Sequence, residues 1–130
     1  MSIDEVTAAF FDAFTTDGRR APNIDVLYEL FLPSAAIVKT VGGVVESLDV
    51  RAFVEPRRAL LTGGAIENFK EYETSAKTDI FGNIAQRFSH YEKTWLASGV
   101  EQSGSGVKSI QFVRTLGGWK IAALVWDDAD

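Results

Sequence analysis

The feature that most constrains the fold is the end of the chain, where two apolar-rich segments are joined by a pair of glycines. The segments 107–115 and 119–126 are rich in β-branched and aromatic residues, and Gly117-Gly118 lies between them. This pattern is typical of a β-hairpin, because both central residues of a type I′ turn need a positive φ angle. We therefore predict a closing antiparallel hairpin that turns at Gly117 and Gly118.

Two more extended segments precede this hairpin. Residues 66–81 and 83–97 have the β-branched and aromatic content of strands and are separated by a turn at Gly82-Asn83. Residues 98–106 include the sequence Ser103 to Gly106, which is typical of a flexible loop. The sequence thus predicts four long consecutive strands in one antiparallel sheet, with a loop at 98–106.

The first half of the chain has helical periodicity. Ser2 and Glu5 have the spacing of a capping box, in which each side chain binds a free amide at the start of a helix. The apolar residues that follow recur at helical spacing, and Gly18 favours the end of this first helix; they are Ile3, Val6, Phe10, Phe11 and Phe14. A second helix is predicted from a cap at Asn23 or Asp25 to Leu32-Pro33.

A short hairpin and a third helix complete the N-terminal half. We predict a strand over 35–41, a tight turn at Gly42-Gly43 and a short return strand over 44–46. Ser47 or Asp49 can cap the third helix, which ends at Gly63-Gly64. Pro56 lies inside it and is expected to kink or divide it, because proline removes an amide donor and clashes with the preceding turn.

These elements predict a single α+β domain over residues 1–130, in which three helices cover one face of the sheet. Aromatic residues occur at both strand parities, and they are Phe69, Tyr72, Phe88 and Tyr91. This distribution indicates that the outer face is also covered, and we expect a homodimer formed through that face. The alternative is that some of these rings are ordinary surface aromatics.

Composition excludes several classes of function. The net charge of −5 lacks the basic footprint of a nucleic-acid-binding protein. The chain contains no cysteine, which removes thiolate nucleophiles and cysteine zinc sites and agrees with a reducing compartment. Its first residues are acidic, and no apolar run approaches membrane-spanning length. We expect a cytoplasmic protein with no membrane or nucleic-acid partner.

The order of elements resembles that of the nuclear transport factor 2-like superfamily, an α+β cone with a curved sheet around a pocket. The resemblance covers essentially the whole chain and is carried by FFDAF, LYELFLPSAAIVKTVGG, FGNIAQRFSHYEKTW and VKSIQFVRTLGGWKIAALVWDD. It implies a fold and not an activity, since the superfamily contains isomerases, epoxide hydrolases, dehydratases, polyketide cyclases and kinase association domains.

The resemblance also argues against the best-known enzyme of this fold. Ketosteroid isomerase needs an aspartate base, a tyrosine and a neutral carboxylic acid. Matching its elements to this chain puts Lys39, Phe10 and Gln111 at those three positions. A dehydratase of the scytalone type uses more than one histidine, and this chain has only His90.

Two cations are the first candidates for the pocket. Lys39 lies on the first strand, and its side chain points either into the cone or to solvent, depending on strand parity. Arg57 occupies a position on the apolar stripe of the third helix, where it either extends to solvent or presents a bidentate donor to a carboxylate.

The remaining candidates have more ordinary alternatives. His90 is either a sheet or interface histidine or a general base near Tyr72 or Tyr91, and a lone histidine predicts no metal site. Asp127 and Asp128 are a solvated acidic end or a coupled carboxylate pair. The catalytic candidates are His90, Lys39 and Gln111. The wider set of expected pocket residues adds Arg57, Phe14, Tyr28, Phe53, Phe88 and Trp126.

The sequence therefore favours a cone that binds a small, largely apolar and in some cases acidic molecule. Any reaction there is expected to be acid–base chemistry without a cofactor, of the isomerase, cyclase or dehydratase type. The alternative is a non-catalytic homodimeric association module, which a cone packed solid with side chains would favour.

Overall fold

A computed structural model describes residues 1–129 and contains three helices on one face of a six-stranded sheet. The helices are α1 (Ile3–Asp12), α2 (Leu27–Leu30) and α3 (Val50–Thr62). The strands are β1 (Phe31–Lys39), β2 (Glu46–Leu48), β3 (Ile66–Phe81), β4 (Ile84–Ala97), β5 (Val100–Thr115) and β6 (Gly118–Asp128). The predicted α+β architecture is confirmed.

The strands follow the order β2-β1-β6-β5-β4-β3 in one curved, open sheet. All neighbours are antiparallel except β1 and β6, which run parallel, so the sheet is mixed. The parallel pairing places Lys39 beside Trp126. The N-terminal hairpin is thereby joined to the closing hairpin, and both contribute to one continuous inner surface.

Helix α1 begins as the sequence predicts. The Glu5 amide donates to Ser2 Oγ at 3.1 Å and the Ser2 amide donates to Glu5 Oε1 at 2.9 Å, which completes the capping box. The apolar face of α1 then packs on the sheet, with Phe10 and Phe11 buried, and Phe14 is buried just after the helix. Phe10 also stacks on Phe53 of α3 at a centroid distance of 6.3 Å, so the two helices share one aromatic core.

Several predicted boundaries shift, and α1 already ends at Asp12, well before Gly18. The second helix is only a short 3₁₀ turn (Ile24–Val26) followed by α2, because Phe31 is already extended ahead of Pro33. Strand β1 therefore starts earlier than predicted, and the return strand β2 starts later. The intervening turn is confirmed, since Gly42 and Gly43 both have positive φ angles, of 73° and 78°.

Helix α3 is one continuous element despite Pro56. Asp49 is its cap and accepts from the Ala52 amide at 2.8 Å, whereas Ser47 lies in β2. The expected division at Pro56 is wrong. Phe53, Val54 and Leu61 are buried on both sides of the proline, and this packing holds the helix together across the missing hydrogen bond.

The predicted loop over 98–106 is also wrong. A two-residue turn at Ser98 and Gly99, both with positive φ, joins β4 directly to β5, and Ala97 pairs with Val100. The glycines of the Ser103 to Gly106 sequence lie inside β5. A Cβ added to Gly106 would collide with the Tyr91 hydroxyl and the Asp127 carbonyl, so glycine allows a close approach there.

The closing hairpin is confirmed, but its turn lies one residue earlier than predicted. Thr115 pairs with Gly118, so Leu116 and Gly117 form the two-residue loop. Of the two glycines only Gly118 has a positive φ, at 99°. No helix within residues 1–129 combines the length and the apolar character needed to cross a bilayer.

Candidate functional site

A cavity of about 330 Å³ lies between the helices and the inner face of the sheet. Aromatic and aliphatic side chains form most of its wall, and charged side chains project into it from the strands and from α3. The lining residues are Phe10, Phe14, Lys39, Phe53, Pro56, Arg57, Leu60, Leu61, Phe69, Glu71, Tyr91, Lys93, Lys108 and Trp126. The volume is within the range of small-molecule sites.

The charges that line this cavity are unbalanced. Among residues 1–129, four lining side chains are basic, namely Lys39, Arg57, Lys93 and Lys108, and only Glu71 is acidic. The whole chain, in contrast, carries a net charge of −5. The cavity is thus a local concentration of positive charge in an acidic protein, which favours an anionic occupant.

Lys108 and Glu71 form a buried ion pair. Lys108 Nζ lies 2.8 Å from Glu71 Oε1, and the two side chains are only 7% and 10% exposed. The pair is close but poorly aligned, since Glu71 Oε1 accepts no hydrogen bond from residues 1–129. Burial lowers the pKa of the Lys108 ammonium, and the negative charge of Glu71 opposes this effect.

Aromatic rings surround the same ammonium group. Lys108 Nζ lies 3.7 Å from the centre of the Tyr91 ring and 5.5 Å from that of Trp126. Phe10 and Phe11 are at 5.9 and 5.8 Å. Ring faces carry partial negative charge and stabilise a nearby cation. This environment makes a cation at Lys108 tolerable in a largely apolar interior.

A second polar group lies at the end of β6. The Tyr91 hydroxyl donates a hydrogen bond to Asp128, and Lys93 Nζ donates to the other Asp128 oxygen at 3.1 Å. Burial acts to raise the pKa of Asp128, but these two donors outweigh it and hold that pKa below its usual value. Burial and the Asp128 hydrogen bond together raise the pKa of Tyr91, so the phenol stays protonated.

Arg57 projects from α3 into the cavity, on the wall that faces the sheet. Its Nη1 donates to the Phe53 carbonyl at 2.9 Å, and its guanidinium lies 4.0 Å from the Phe53 ring centre and 5.3 Å from that of Trp126. Burial lowers the pKa of Arg57, although an arginine remains protonated at ordinary pH. Among residues 1–129 it forms no ion pair, so donors remain for a ligand.

Lys39 has the inward orientation that strand parity left open. It lies on the same side of β1 as the buried Ala35 and Ile37, lines the cavity and is half-buried. It likewise forms no ion pair within the described part of the chain. Lys39 and Arg57 are therefore two cavity cations without an acidic partner there.

The structure brings five of the expected pocket residues together in this cavity: Phe14, Lys39, Phe53, Arg57 and Trp126. The other four do not line it. Tyr28 is exposed and donates to Glu55 at 2.6 Å, which ties α2 to α3. Phe88, His90 and Gln111 lie on the outer face of the sheet, because their neighbours Ser89, Tyr91 and Ile110 point inward. Their expected pocket position is wrong.

Sequence reasoning missed Lys108, Glu71 and Lys93 as cavity residues. Lys108 could have been found, since it has the same strand parity as the apolar residues Ile110 and Phe112. Lys93 could also have been found, since it has the same parity on β4 as the buried Ser89 and Tyr91. The signal for Glu71 is weaker, because a bulge after Glu67 and another after Glu73 shift the alternation along β3. No cluster of three or more metal-ligating side chains occurs in the described residues.

The geometry defines an α+β cone with an aromatic, cationic cavity between its helices and its sheet. No family model matches the chain, and no curated protein matches it either. The likeness to solved structures is extensive. An NTF2-like protein with a cystatin-like fold from Novosphingobium aromaticivorans is 19% identical, with a TM-score of 0.76 over 99% of this chain and 80% of that one.

Two further structures agree with the first. An NTF2-like superfamily protein from Salmonella enterica serovar Typhimurium is 14% identical, with a TM-score of 0.74 over 98% of this chain and 90% of that one. A Xanthomonas campestris protein, provisionally named a calcium/calmodulin-dependent protein kinase II association domain, is 16% identical. Its TM-score is 0.68 over 97% of this chain and 81% of that one. The chain therefore has the NTF2-like, cystatin-like fold.

Proposed function

We propose that the cone cavity binds a small, largely apolar molecule that carries a carboxylate. The observation that carries this proposal is the presence of Lys39 and Arg57, two cations without an acidic partner in the described chain, on the wall of an otherwise aromatic cavity. An arginine fork matches the geometry of a carboxylate, and the rings of Phe53 and Trp126 supply an apolar surface beside it.

The proposal is tested by titrating the protein with 4-methylbenzoate in a calorimeter. We expect Arg57→Met and Lys39→Met each to weaken binding by about tenfold, the effect of losing one charge-assisted contact. Arg51→Met is the matched control for Arg57, because Arg51 lies on the same helix but is exposed. Equal affinity of wild type and both cavity variants would contradict the proposal, and so would tighter binding of neutral toluene than of 4-methylbenzoate.

Two of the three catalytic candidates from the sequence lie outside this cavity, so acid–base chemistry there would depend on other residues. His90 and Gln111 are on the outer face, whereas Glu71, Lys108 and Tyr91 surround the cavity. Glu71 is a buried carboxylate with an oxygen that accepts no hydrogen bond from residues 1–129, and Lys108 is a cation beside it. A carboxylate and a cation of this kind are the groups that cofactor-independent proton transfer requires.

We also propose that the outer face of the sheet is the interface of a homodimer. Phe81, Ile84, Phe88 and Val125 lie on this face and are exposed; we call them the outer patch. Lys77 and Asp79 on β3 give the same face charges of both signs, which a two-fold related copy can pair. The association-domain name of one structural neighbour agrees with this partner. Dimerisation through the sheet is compatible with a ligand inside the cone.

A further inference from the structure

Lys108 holds a primary amine deep in the wall of the cavity. Strand β5 alternates, so Lys108 points inward together with the buried Ile110 and Phe112. The nitrogen lies between the Tyr91 and Trp126 rings, at 3.7 and 5.5 Å from their centres. A cavity large enough for a single-ring compound adjoins it. The amine is therefore placed to meet a bound molecule while bulk water is largely excluded.

Glu71 gives this amine a proton acceptor. Its Oε1 lies 2.8 Å from Lys108 Nζ, and no better-aligned donor within residues 1–129 competes for that oxygen. Burial lowers the pKa of Lys108, and the charge of Lys93 adds to this effect, while Glu71 and Asp128 oppose it. Loss of a proton therefore costs less at Lys108 than at a lysine in water, and a neutral amine is the nucleophilic form of lysine.

We propose that Lys108 is a Schiff-base lysine, which condenses with the carbonyl carbon of a small aromatic aldehyde or ketone held in the cavity. The inference deepens the ligand-binding function proposed above and rests on it. Arg57 and Lys108 approach the same indole ring of Trp126, at 5.3 and 5.5 Å. One ring-sized molecule can therefore place an acid group at Arg57 and a carbonyl group at Lys108.

The condensation balances with the groups present. The Lys108 ammonium gives one proton to Glu71, and the neutral amine forms a carbon–nitrogen bond with the carbonyl carbon. A second proton moves from nitrogen to the former carbonyl oxygen, which gives a carbinolamine. Glu71 then returns its proton to that hydroxyl group, the carbon–oxygen bond breaks, and water leaves. The product is a protonated imine that is paired with the Glu71 carboxylate, and no electrons are exchanged with any other compound.

The test uses the full chain, 4-carboxybenzaldehyde and sodium cyanoborohydride at neutral pH. The reductant converts an imine into a stable secondary amine, and peptide mass spectrometry then assigns the adduct to individual lysines. We expect labelling of Lys108 to exceed that of Lys70 and of Lys77 by about tenfold or more, as for an activated nucleophile. An excess of 4-methylbenzoate, which has no carbonyl carbon able to form an imine, should protect Lys108.

Matched variants separate this reaction from ordinary surface labelling. Lys108→Arg keeps a cation beside Glu71 but cannot form an imine, so the selective adduct should disappear. Lys77→Met should leave labelling of Lys108 unchanged. Assigning the adducts to lysines of the wild-type protein requires no variant, so the proposal can be tested even if a variant fails to fold. Labelling of Lys108 no greater than that of the exposed lysines, with both 4-carboxybenzaldehyde and benzaldehyde, would overturn the proposal.

The two proposals fail in different ways. One outcome is that 4-methylbenzoate binds in an Arg57-dependent manner and no Lys108 adduct forms. The cavity then binds carboxylates, Lys108 is only a structural ion-pair partner, and the Schiff-base proposal is overturned. If 4-methylbenzoate does not bind but benzaldehyde labels Lys108 selectively, the imine stands and the acidic ligand does not.

Discussion

Asp128 shows how a single side chain can order the rim of the cavity. It accepts from Tyr91 and from Lys93, and it lies on the inward-facing side of the last strand with Leu124 and Trp126. Its neighbour Asp127 points outward and is exposed. The two adjacent carboxylates therefore lie on opposite faces of the sheet, and Asp128 is the one that accepts hydrogen bonds at the rim of the cavity.

This difference predicts a specific pH dependence. The pKa of Asp128 is lowered in the folded state, so folding favours its charged form. Its contribution to the free energy of unfolding is then complete above the ordinary aspartate pKa of about 3.9 and is lost as pH falls through the lower native pKa. At pH 7 we expect Asp128→Asn to lower the free energy of unfolding by about 1 to 2 kcal/mol, because it weakens hydrogen bonds to a charged group.

Urea denaturation of wild type and Asp128→Asn between pH 7 and pH 3 measures this contribution. The difference in the free energy of unfolding between the two proteins should become smaller as the pH falls. Asp127→Asn is the control, and its unfolding free energy should stay within about 0.5 kcal/mol of wild type at pH 7, as is usual for surface substitutions. If the difference in unfolding free energy between wild type and Asp128→Asn were constant over the whole pH range, the lowered pKa of Asp128 would be contradicted.

Strand β5 shows at the level of the element how a glycine-rich sequence forms part of a strand. Gly104 and Gly106 both lie within the strand, and neither has a positive φ. A Cβ at Gly106 would meet the Tyr91 hydroxyl and a backbone carbonyl, which cannot move far. A Cβ at Gly104 would meet only the flexible end of Lys93, at 2.9 Å. The two glycines thus differ in the cost of a single methyl group.

We therefore expect Gly106→Ala to lower the free energy of unfolding by about 1 to 3 kcal/mol, the usual cost of overpacking. It should also displace Tyr91 from Asp128. Gly104→Ala should have little effect, because the Lys93 side chain can move aside. Circular dichroism during urea denaturation measures both variants. A flexible loop at 103–106 would instead tolerate both substitutions equally, so equal stability of the two proteins would refute this account of β5.

Local signals predicted the elements better than they predicted the site. The capping box of Ser2 and Glu5 and the stripe of phenylalanines in α1 are contiguous in sequence, so the first helix could be read directly. Lys39 and Arg57 stood out as cations on apolar faces. The partners of Lys108 were not visible, because Glu71 lies on β3, a strand that bulges twice and is separated from the strand of Lys108 by β4. Such contacts depend on how the sheet curves, which no short stretch of sequence specifies.

At the scale of the whole molecule, the sheet separates two surfaces of different character. The inner surface holds the cations Lys39, Lys93 and Lys108 among aromatic rings. The outer surface carries the outer patch, in which Phe81 is 84% exposed and Phe88 is 54% exposed. Phe88 also packs edge-on against His90 at 5.8 Å between centroids. Apolar side chains so exposed on neighbouring strands are typical of a surface that another molecule covers.

If a second copy of the chain covers this face, the wild-type protein should have the mass of a dimer at micromolar concentration by size-exclusion chromatography with light scattering. Phe88→Asp places a charge at the centre of the interface, opposite its own copy or an apolar neighbour, and should shift the mass to that of a monomer. Leu116→Asp is the matched control, since Leu116 is fully exposed but lies in the β5–β6 turn, outside the outer patch. Its mass should remain that of the dimer.

A monomeric wild-type protein would show that the outer patch does not bind a second copy of the chain. A Phe88→Asp protein that stays dimeric would show that the dimer forms through another surface. The carboxylate affinity of a monomeric Phe88→Asp protein should equal that of the wild type, because the cavity lies on the opposite face of the sheet and is lined by residues of one chain.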